Sequence, residues 1–355
     1  MKKLFLLLSL SACFACVNSA PVIVYNGDTL QLNREFRRRQ TGSVKTSAVL
    51  PEISGIACSR VTPGYLWMES DDYSTIVATD DNGQKAYMKL RLSGIPSRSD
   101  WEDMCGGVYN GKNYLFVGAF GDNNEVNTNY YIFYFEEPEI VETSTTTTLP
   151  ASYIKFEYPD GKSHNAEALM YDNVEQMLYV VTKVYYNVCS VYCLPMSMEY
   201  GTETQTLTYV CDLGKQGEQR FHLVTAADIS PDGSQIIIKN HNNIIETQSV
   251  ALLWKREGDE SIRQTLLRQP RQIAAYQYEW QGEAVAWLDS DNFYTTSDED
   301  EGNPPIFKYT RVDDTSLNAN EDISKNDKPI LVIRGNQLFI TKQNSLYSLD
   351  GRQVK

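Results

Sequence analysis

Short apolar and β-branched runs, each bounded by Gly, Pro, Asn or Asp, recur along most of the chain, and no helical period takes over between them. The runs repeat as units. An acidic residue opens an apolar segment at Glu52-Ile53-Ser54-Gly55-Ile56-Ala57, Glu102-Asp103-Met104-Cys105, Glu167-Ala168-Leu169-Met170, Asp228-Ile229-Ser230 and Glu283-Ala284-Val285-Ala286-Trp287. Each is followed by a second run of strong β character, at Tyr65 to Met68, Tyr114 to Val117, Met177 to Val181, Gln235 to Lys239 and Asn292 to Thr296. Two further runs complete most units, as in Tyr130 to Phe135 with Ser152 to Tyr158, or Val188 to Leu194 with Thr206 to Val210. Four strands in a period of this length predict a β-propeller blade. The fold class is all-β, a propeller over residues 20–312 with five blades, or six if a degenerate blade lies between Cys105 and Glu167. The fifth unit runs short of strands after Thr310, so Val22 to Leu32 is expected to supply its outer strand. Thr143 to Thr148 reads as an exposed loop.

The two ends differ from this body. Met1-Lys2-Lys3 and the apolar run Leu4 to Val17 form a secretory signal over residues 1–19, too short to span a bilayer. Cleavage after Ser19 is favoured, and a lipobox reading at Leu10-Ser11-Ala12-Cys13, with lipid on Cys13, stands beside it. A polar linker, 313–327, precedes three strand-like runs in 328–355, at Ile330 to Arg334, Gln337 to Thr341 and Leu346 to Leu349. The ending "LVIRGNQLFITKQNSLYSLDGRQVK" resembles the sorting tails of type IX secretion cargo. That resemblance implies passage across an outer membrane, followed by release or surface attachment.

Composition narrows the partners. The chain of 355 residues carries a net charge of −14, the wrong sign for a phosphate backbone, so nucleic acid is excluded as a natural partner. No later apolar stretch reaches the ~20 residues of a membrane span. Three His leave little material for a multi-His metal site. Five Cys remain after the signal, an odd number that leaves at least one thiol unpaired.

Strand direction gives the acids a common place. Neighbouring strands of a blade run antiparallel, so the start of the inner strand and the end of the second face one rim of the channel. Glu52, Glu102, Glu167, Asp228 and Glu283 are expected there, with Asp71, Asp72 and Asp122 at second-strand exits. Like charges gathered near one axis repel unless a cation neutralises them, and oxygen-only ligands favour Ca²⁺ or Mg²⁺. Each acid has an alternative role as a latch accepting backbone N–H bonds from the adjacent blade. His164, Lys183, His241 and Trp101 fall near the same rim and are the candidate ligand-binding residues. No nucleophile elbow, zinc-protease helix, phosphate loop or EF-hand spacing is present.

The series "EISGIACSR", "SDWEDMCGG", "YLFVGAFGDNNE", "SHNAEALMYD", "VTAADISPDGSQIII" and "WQGEAVAW" resembles a family of secreted bacterial β-propellers with a distant likeness to calcium-dependent propeller phytases. The resemblance spans Glu52 to Glu299 and implies the propeller architecture, not a reaction. The reading it leaves is a secreted or surface-displayed propeller that binds a divalent cation and a small-molecule ligand, phosphorylated or carbohydrate, at an acidic mouth. The alternatives are a Ca²⁺- or Mg²⁺-assisted phosphoesterase, for which the phytase likeness would require more cations than Lys183, and a carbohydrate-active hydrolase using Trp101, Trp280 or Trp287.

Overall fold

The computed structural model describes residues 23–312 except positions 31–32, 71–73, 98–99, 144, 185–187, 215–222, 242–247, 278, 280 and 299–302, and beyond them four strands between Ile330 and Val354. A hairpin of β1 (Ile23–Tyr25) and β2 (Asp28–Leu30) precedes a longer strand, β3 (Phe36–Ser43). Blade 1 follows as β4 (Ile53–Cys58), β5 (Tyr65–Ser70), β6 (Ile76–Asp80) and β7 (Met88–Ser93). Blade 2 is β8 (Asp103–Tyr109), β9 (Lys112–Ala119), β10 (Tyr130–Glu136) and, after β11 (Thr147–Pro150), β12 (Ser152–Glu157). Blade 3 is β13 (Ala166–Asp172), β14 (Met177–Thr182), β15 (Cys189–Pro195) and, after β16 (Thr204–Thr206), β17 (Thr208–Leu213). Blade 4 is β18 (Leu223–Ile229), β19 (Gln235–His241), β20 (Gln248–Lys255) and, after the short helix α1 (Ile262–Leu266), β21 (Arg271–Gln277). Blade 5 is β22 (Ala284–Asp289), β23 (Asn292–Thr296), β24 (Pro305–Arg311) and β3.

The inner strands pack in the cyclic order β4, β8, β13, β18, β22 and back to β4, which closes a five-bladed β-propeller. One apolar cluster fills each seam between blades. The stretch between Cys105 and Glu167 holds no sixth blade. Its extra length goes into β11, which leaves blade 2 to lie parallel to β7 of blade 1, so Thr147 and Thr148 are strand rather than loop.

That excursion is general. From blade 3, β16 lies parallel to β12 of blade 2, and in blade 4 Arg263 of α1 donates from Nε to Val210 O on β17. Asn33 N–H donates to Gln272 O on β21, and Ser43 N–H donates to Asn82 O in the β6–β7 turn. Counted from β11, the first four of these shield part of the preceding blade's outer edge, the backbone row that would otherwise be open to pairing, and the last ties the outer strand of blade 5 to blade 1.

A further expectation changes here. The strand that completes blade 5 is Phe36–Ser43, paired antiparallel with β24 from Pro305↔Ser43 to Arg311↔Phe36, and not Val22 to Leu32. The apolar residues of that earlier segment are used elsewhere: Ile23, Tyr25 and Leu30 join the blade 3–4 cluster, where Tyr25 meets Trp254 edge to face. The five Cys beyond the signal are all buried free thiols, Cys193 and Cys211 included.

Residues 312–355 form a second unit with its own antiparallel sheet, β25 (Ile330–Arg334), β26 (Gln337–Lys342), β27 (Ser345–Ser348) and β28 (Gln353–Val354). Because β3 supplies the fourth strand of blade 5, the ring closes without this unit. Deleting residues 328–355 is expected to leave the thermal midpoint of the propeller within about 2 °C of the full chain, less than 1 kcal/mol at this size. A loss several times larger would show that the tail supports the ring.

Candidate functional site

A polar cavity of about 220 Å³ lies at one mouth of the channel. Glu52 and Ser54 of blade 1, Asp100, Glu102 and Asn123 of blade 2, Glu167 and Lys183 of blade 3, and Gln281, Glu283 and Asp298 of blade 5 line it. Its centre is an ion pair in which Lys183 Nζ lies 3.0 Å from Glu167 Oε2, both side chains buried. Burial pushes the Lys183 ammonium down, but the Glu167, Glu283 and Glu102 carboxylates outweigh it and hold the group charged. Asn165 Nδ2 donates to Glu167 Oε1 and to Asn123 Oδ1, both at 3.1 Å, while its Oδ1 accepts Asp122 N–H at 2.8 Å. One amide thus fixes Glu167 and the following loop together.

Glu102 shares a hydrogen bond with Glu167, and burial, reinforced by Glu167 and Asp100, holds its carboxyl well above the usual range. Burial likewise pushes Glu283 up to about 8, opposed by Lys183 and reinforced by Glu167 and Asp298. Both carboxyls thus hold their protons more tightly than an exposed glutamate does, and a positive charge joining them would favour the ionised form. Gly121 makes room for the pair on blade 2, since a Cβ there would stand 1.8 Å from Glu102 Oε1 and 2.7 Å from Asp100 Cγ.

The backbone at the mouth is strained. Glu52, Asp100 and Gln281, each just before an inner strand, have φ of 49°, 73° and 38°. Left-handed backbone at non-glycine residues costs on the order of 1–3 kcal/mol and concentrates at functional sites. Three of the seven such residues among those described line this one cavity.

Register decides which acids reach it. The inner strands of blades 1, 3 and 4 carry a bulge, between Ile53 and Gly55, Ala166 and Ala168, and Val224 and Ala226. Ser54, Glu167 and Thr225 therefore hold equivalent places, and Ser54 and Thr225 hydroxyls donate to Glu102 O and Gly282 O across the seams. Asp228 does not begin its strand. It is the sixth residue of β18, deep in the channel, where Oδ2 accepts Trp287 N–H from blade 5 at 2.7 Å and Oδ1 accepts Ile229 N–H at 2.9 Å. Asp228 is a latch between blades.

The other candidates separate. Asp71 and Asp72 lie outside the described residues. Asp122 is buried and organises its own loop, accepting Val126 N–H on Oδ1 and Asn127 N–H and Tyr130 O–H on Oδ2. His164 pairs with Asp160 at 3.0 Å and rests edge-on against Tyr158, and is not among the residues lining the mouth. Trp101 is 1% exposed in the blade 1–2 core against Phe133, so it offers no stacking face to a sugar, and Trp287 is likewise core. Trp280 lies outside the described residues. His241 ends β19, buried, and burial followed by the charges of Lys183 and Lys239 pushes its imidazole down to about 3.

Asp103, Asp100, Asn165, Gln281 and Lys239 belong to this region without having been singled out from the sequence. Asp103 carries the most. Its Oδ2 accepts Leu169 N–H of blade 3 at 2.9 Å and Ala227 N–H of blade 4 at 3.1 Å, and its Oδ1 accepts Met104 N–H at 2.8 Å. Lys239 is buried against Glu279 Oε2 at 2.6 Å.

The Asp228 latch has a pH signature. Burial raises its carboxyl to about 7 against the two backbone hydrogen bonds, above about 3.9 in an unfolded chain. A group raised on folding contributes stability that is full below the unfolded value and lost as pH climbs through the folded one. The wild-type protein is therefore expected to lose on the order of 4 kcal/mol from this residue between about pH 4 and pH 8. The stability gap between wild type and Asp228→Asn, from urea unfolding, should narrow by that amount across the window. A constant gap would show that Asp228 stays ionised in the fold.

No protein-family model matches the chain, and no curated protein sequence does. Among solved structures it is similar to the β-propeller domain of Cps50 (Swd1) from Myceliophteria thermophila, at 9% identity over 72% of this chain and 82% of that one, with a TM-score of 0.35. It is also similar to a chain of the mitotic checkpoint complex, at 12% identity over 73% of this chain and 63% of that one, with a TM-score of 0.33.

Proposed function

We propose that this protein is an exported binding propeller whose acidic mouth captures a polar ligand through positive charge, with Ca²⁺ or Mg²⁺ as the simplest carrier of that charge. The observation that carries this is the convergence of Glu102, Glu167 and Glu283 on the single cation Lys183, with Glu283 Oε2 buried and without a hydrogen-bond partner. A carboxylate oxygen held dry and unpaired is costly, and a bound cation offsets that cost. The strained backbone at Glu52, Asp100 and Gln281 supports the same use. The acceptors are oxygens, the donor type a hard divalent cation takes, and since no three of the described acids stand together around one point, the ion would draw them in on binding.

The two hydrolase readings draw less support. Lys183 is the only cation lining the cavity among the described residues, and it is already paired with Glu167, which leaves a phosphate group little to hold it. A sugar site loses its platforms, since Trp101 and Trp287 are core. Calorimetric titration of the chelator-treated protein tests the proposal. Ca²⁺ or Mg²⁺ should bind at one site in wild type and at least tenfold more weakly in Glu283→Gln. Titrations without heat in either would remove the divalent carrier.

A further inference from the structure

Blades 1 to 4 each have part of their outer edge covered, by β11, β16, α1 and the segment at Asn33. Blade 5 differs. Its outer strand, β3, pairs with β24 along one side and is the last strand of its sheet, and among the described residues no strand pairs with its other side. The far end of β3 is occupied: Ser43 N–H donates to Asn82 O, Ser43 O accepts Gln84 Nε2 at 2.7 Å, and a Cβ on Gly42 would stand 2.3 Å from Asn82 O. Phe36 to Thr41 therefore present backbone N–H and C=O groups, on alternate residues, to a further strand. That length is enough, since β11 and β16 pair with their blades over only four and three residues.

The side chains of this edge carry one sign. Phe36 belongs to the blade 4–5 cluster and Arg38 lies over Phe307 of that cluster, so strand alternation turns Arg37 and Arg39 to the opposite face. Lys308 stands directly across from Arg39, with its Nζ over the Tyr294 ring at 5.5 Å. Arg34, Arg37 and Arg39 are exposed, and among the described residues neither they nor Lys308 make an ion pair. Glu35, the acid beside them in sequence, is taken by Lys255, Arg271 and Arg311. Like charges opposite one another across a strand pair repel, and a chain of net charge −14 has no shortage of acids to offset them. Such an edge disfavours a second copy of itself, which would set arginines against arginines, and it disfavours an apolar strand. An extended acidic chain meets both the open backbone and the unpaired cations.

We propose that blade 5 binds an extended acidic segment of a partner protein by strand addition to β3, with backbone pairing along Phe36 to Thr41 and carboxylates at alternate positions meeting Arg37 and Arg39. No residue lining the mouth lies on β3, so this site stands or falls apart from the acidic mouth. The probe is a fluorescently labelled, end-blocked heptapeptide alternating Glu with Thr, titrated into the full chain at low salt and followed by anisotropy. It should bind at least tenfold more tightly than the same peptide with methylated backbone nitrogens, which keeps the charge and loses the pairing, and than its Lys/Thr counterpart. The double variant Arg37→Glu with Arg39→Glu should bind the Glu/Thr peptide at least tenfold more weakly than wild type, and the Lys/Thr peptide more tightly. Bound Glu/Thr peptide should slow amide hydrogen exchange in β3 of the wild type. That readout and the methylated peptide keep the test decisive if the double variant fails to fold. Equal binding of the methylated peptide would mean charge attraction alone, as to an acidic polysaccharide, and overturns the proposal. Absence of binding, an unaffected folded variant, or exchange protection confined to other strands overturns it as well. So does a concentration-dependent dimer of the wild type that the folded double variant does not form, which would give the edge to a second copy of this chain.

Discussion

Asp103→Ala should lower the stability of the propeller by about 3–6 kcal/mol, the largest effect expected of any single side chain in the channel. The carboxylate accepts backbone N–H groups from Met104, Leu169 and Ala227, and so ties blades 2, 3 and 4 together at the axis. Removing it leaves three buried donors unsatisfied, at about 1–3 kcal/mol each before relaxation. Near 2 °C per kcal/mol for a chain of this size, the midpoint should fall by roughly 6–12 °C. Asp103→Asn keeps one acceptor oxygen and should lose about half as much. A fall of less than 2 °C for the alanine variant would mean that water reaches these amides and that the axis is not dry.

Removal of residues 1–43 should abolish cooperative unfolding. Blade 5 would lose β3, exposing the edge of β24 along seven paired positions and uncovering Phe293 and Trp287, against which Phe36 packs edge to face. The inner strand of blade 5 closes the ring against β4, so an incomplete blade 5 weakens both of its seams. Chemical denaturation followed by tryptophan fluorescence should give a broad, shallow transition, and a synthetic peptide of residues 33–46 should sharpen it. A truncated chain with an unchanged transition would show that β3 is dispensable to the ring.

That strand also marks where the sequence was hard to read. Blade architecture was legible because inner and second strands are buried on both faces and appear as short apolar runs between turns; all five expected second strands fall within observed ones. β3 is an edge strand with three consecutive arginines. Its apolar contribution is confined to Phe36 and to the guanidinium of Arg38 lying over Phe307, so no hydrophobic period announces it. The more apolar Ile23 to Leu30 drew attention for the same reason, although it serves the blade 3–4 seam.

The acids show a second limit. Glu102, Glu167, Glu283 and Lys183 were placed at the mouth by strand direction alone, and they line it. Asp228 shares its acidic letter with the rim acids, but β18 begins five residues earlier, at Leu223, so the bulged Thr225 holds the rim and Asp228 lies three residues further into the channel. Bulges shift register by one residue and leave no mark in composition. Asp100 and Gln281 were hidden for a related reason: their side chains reach the cavity through left-handed backbone that ordinary strand reading does not anticipate.

The thermal midpoint of the chelator-treated protein, measured alone and with millimolar Ca²⁺ or Mg²⁺, tests the acidic mouth most directly. Ligand at one hundred times its dissociation constant adds about 2.7 kcal/mol by mass action, or roughly 5 °C here. At least one of these cations should raise the midpoint by that order in wild type and by less than 1 °C in Glu283→Gln, whose lining has lost the unpaired buried carboxylate oxygen. Identical midpoints in all conditions, in wild type and variant alike, would contradict a cation-binding mouth.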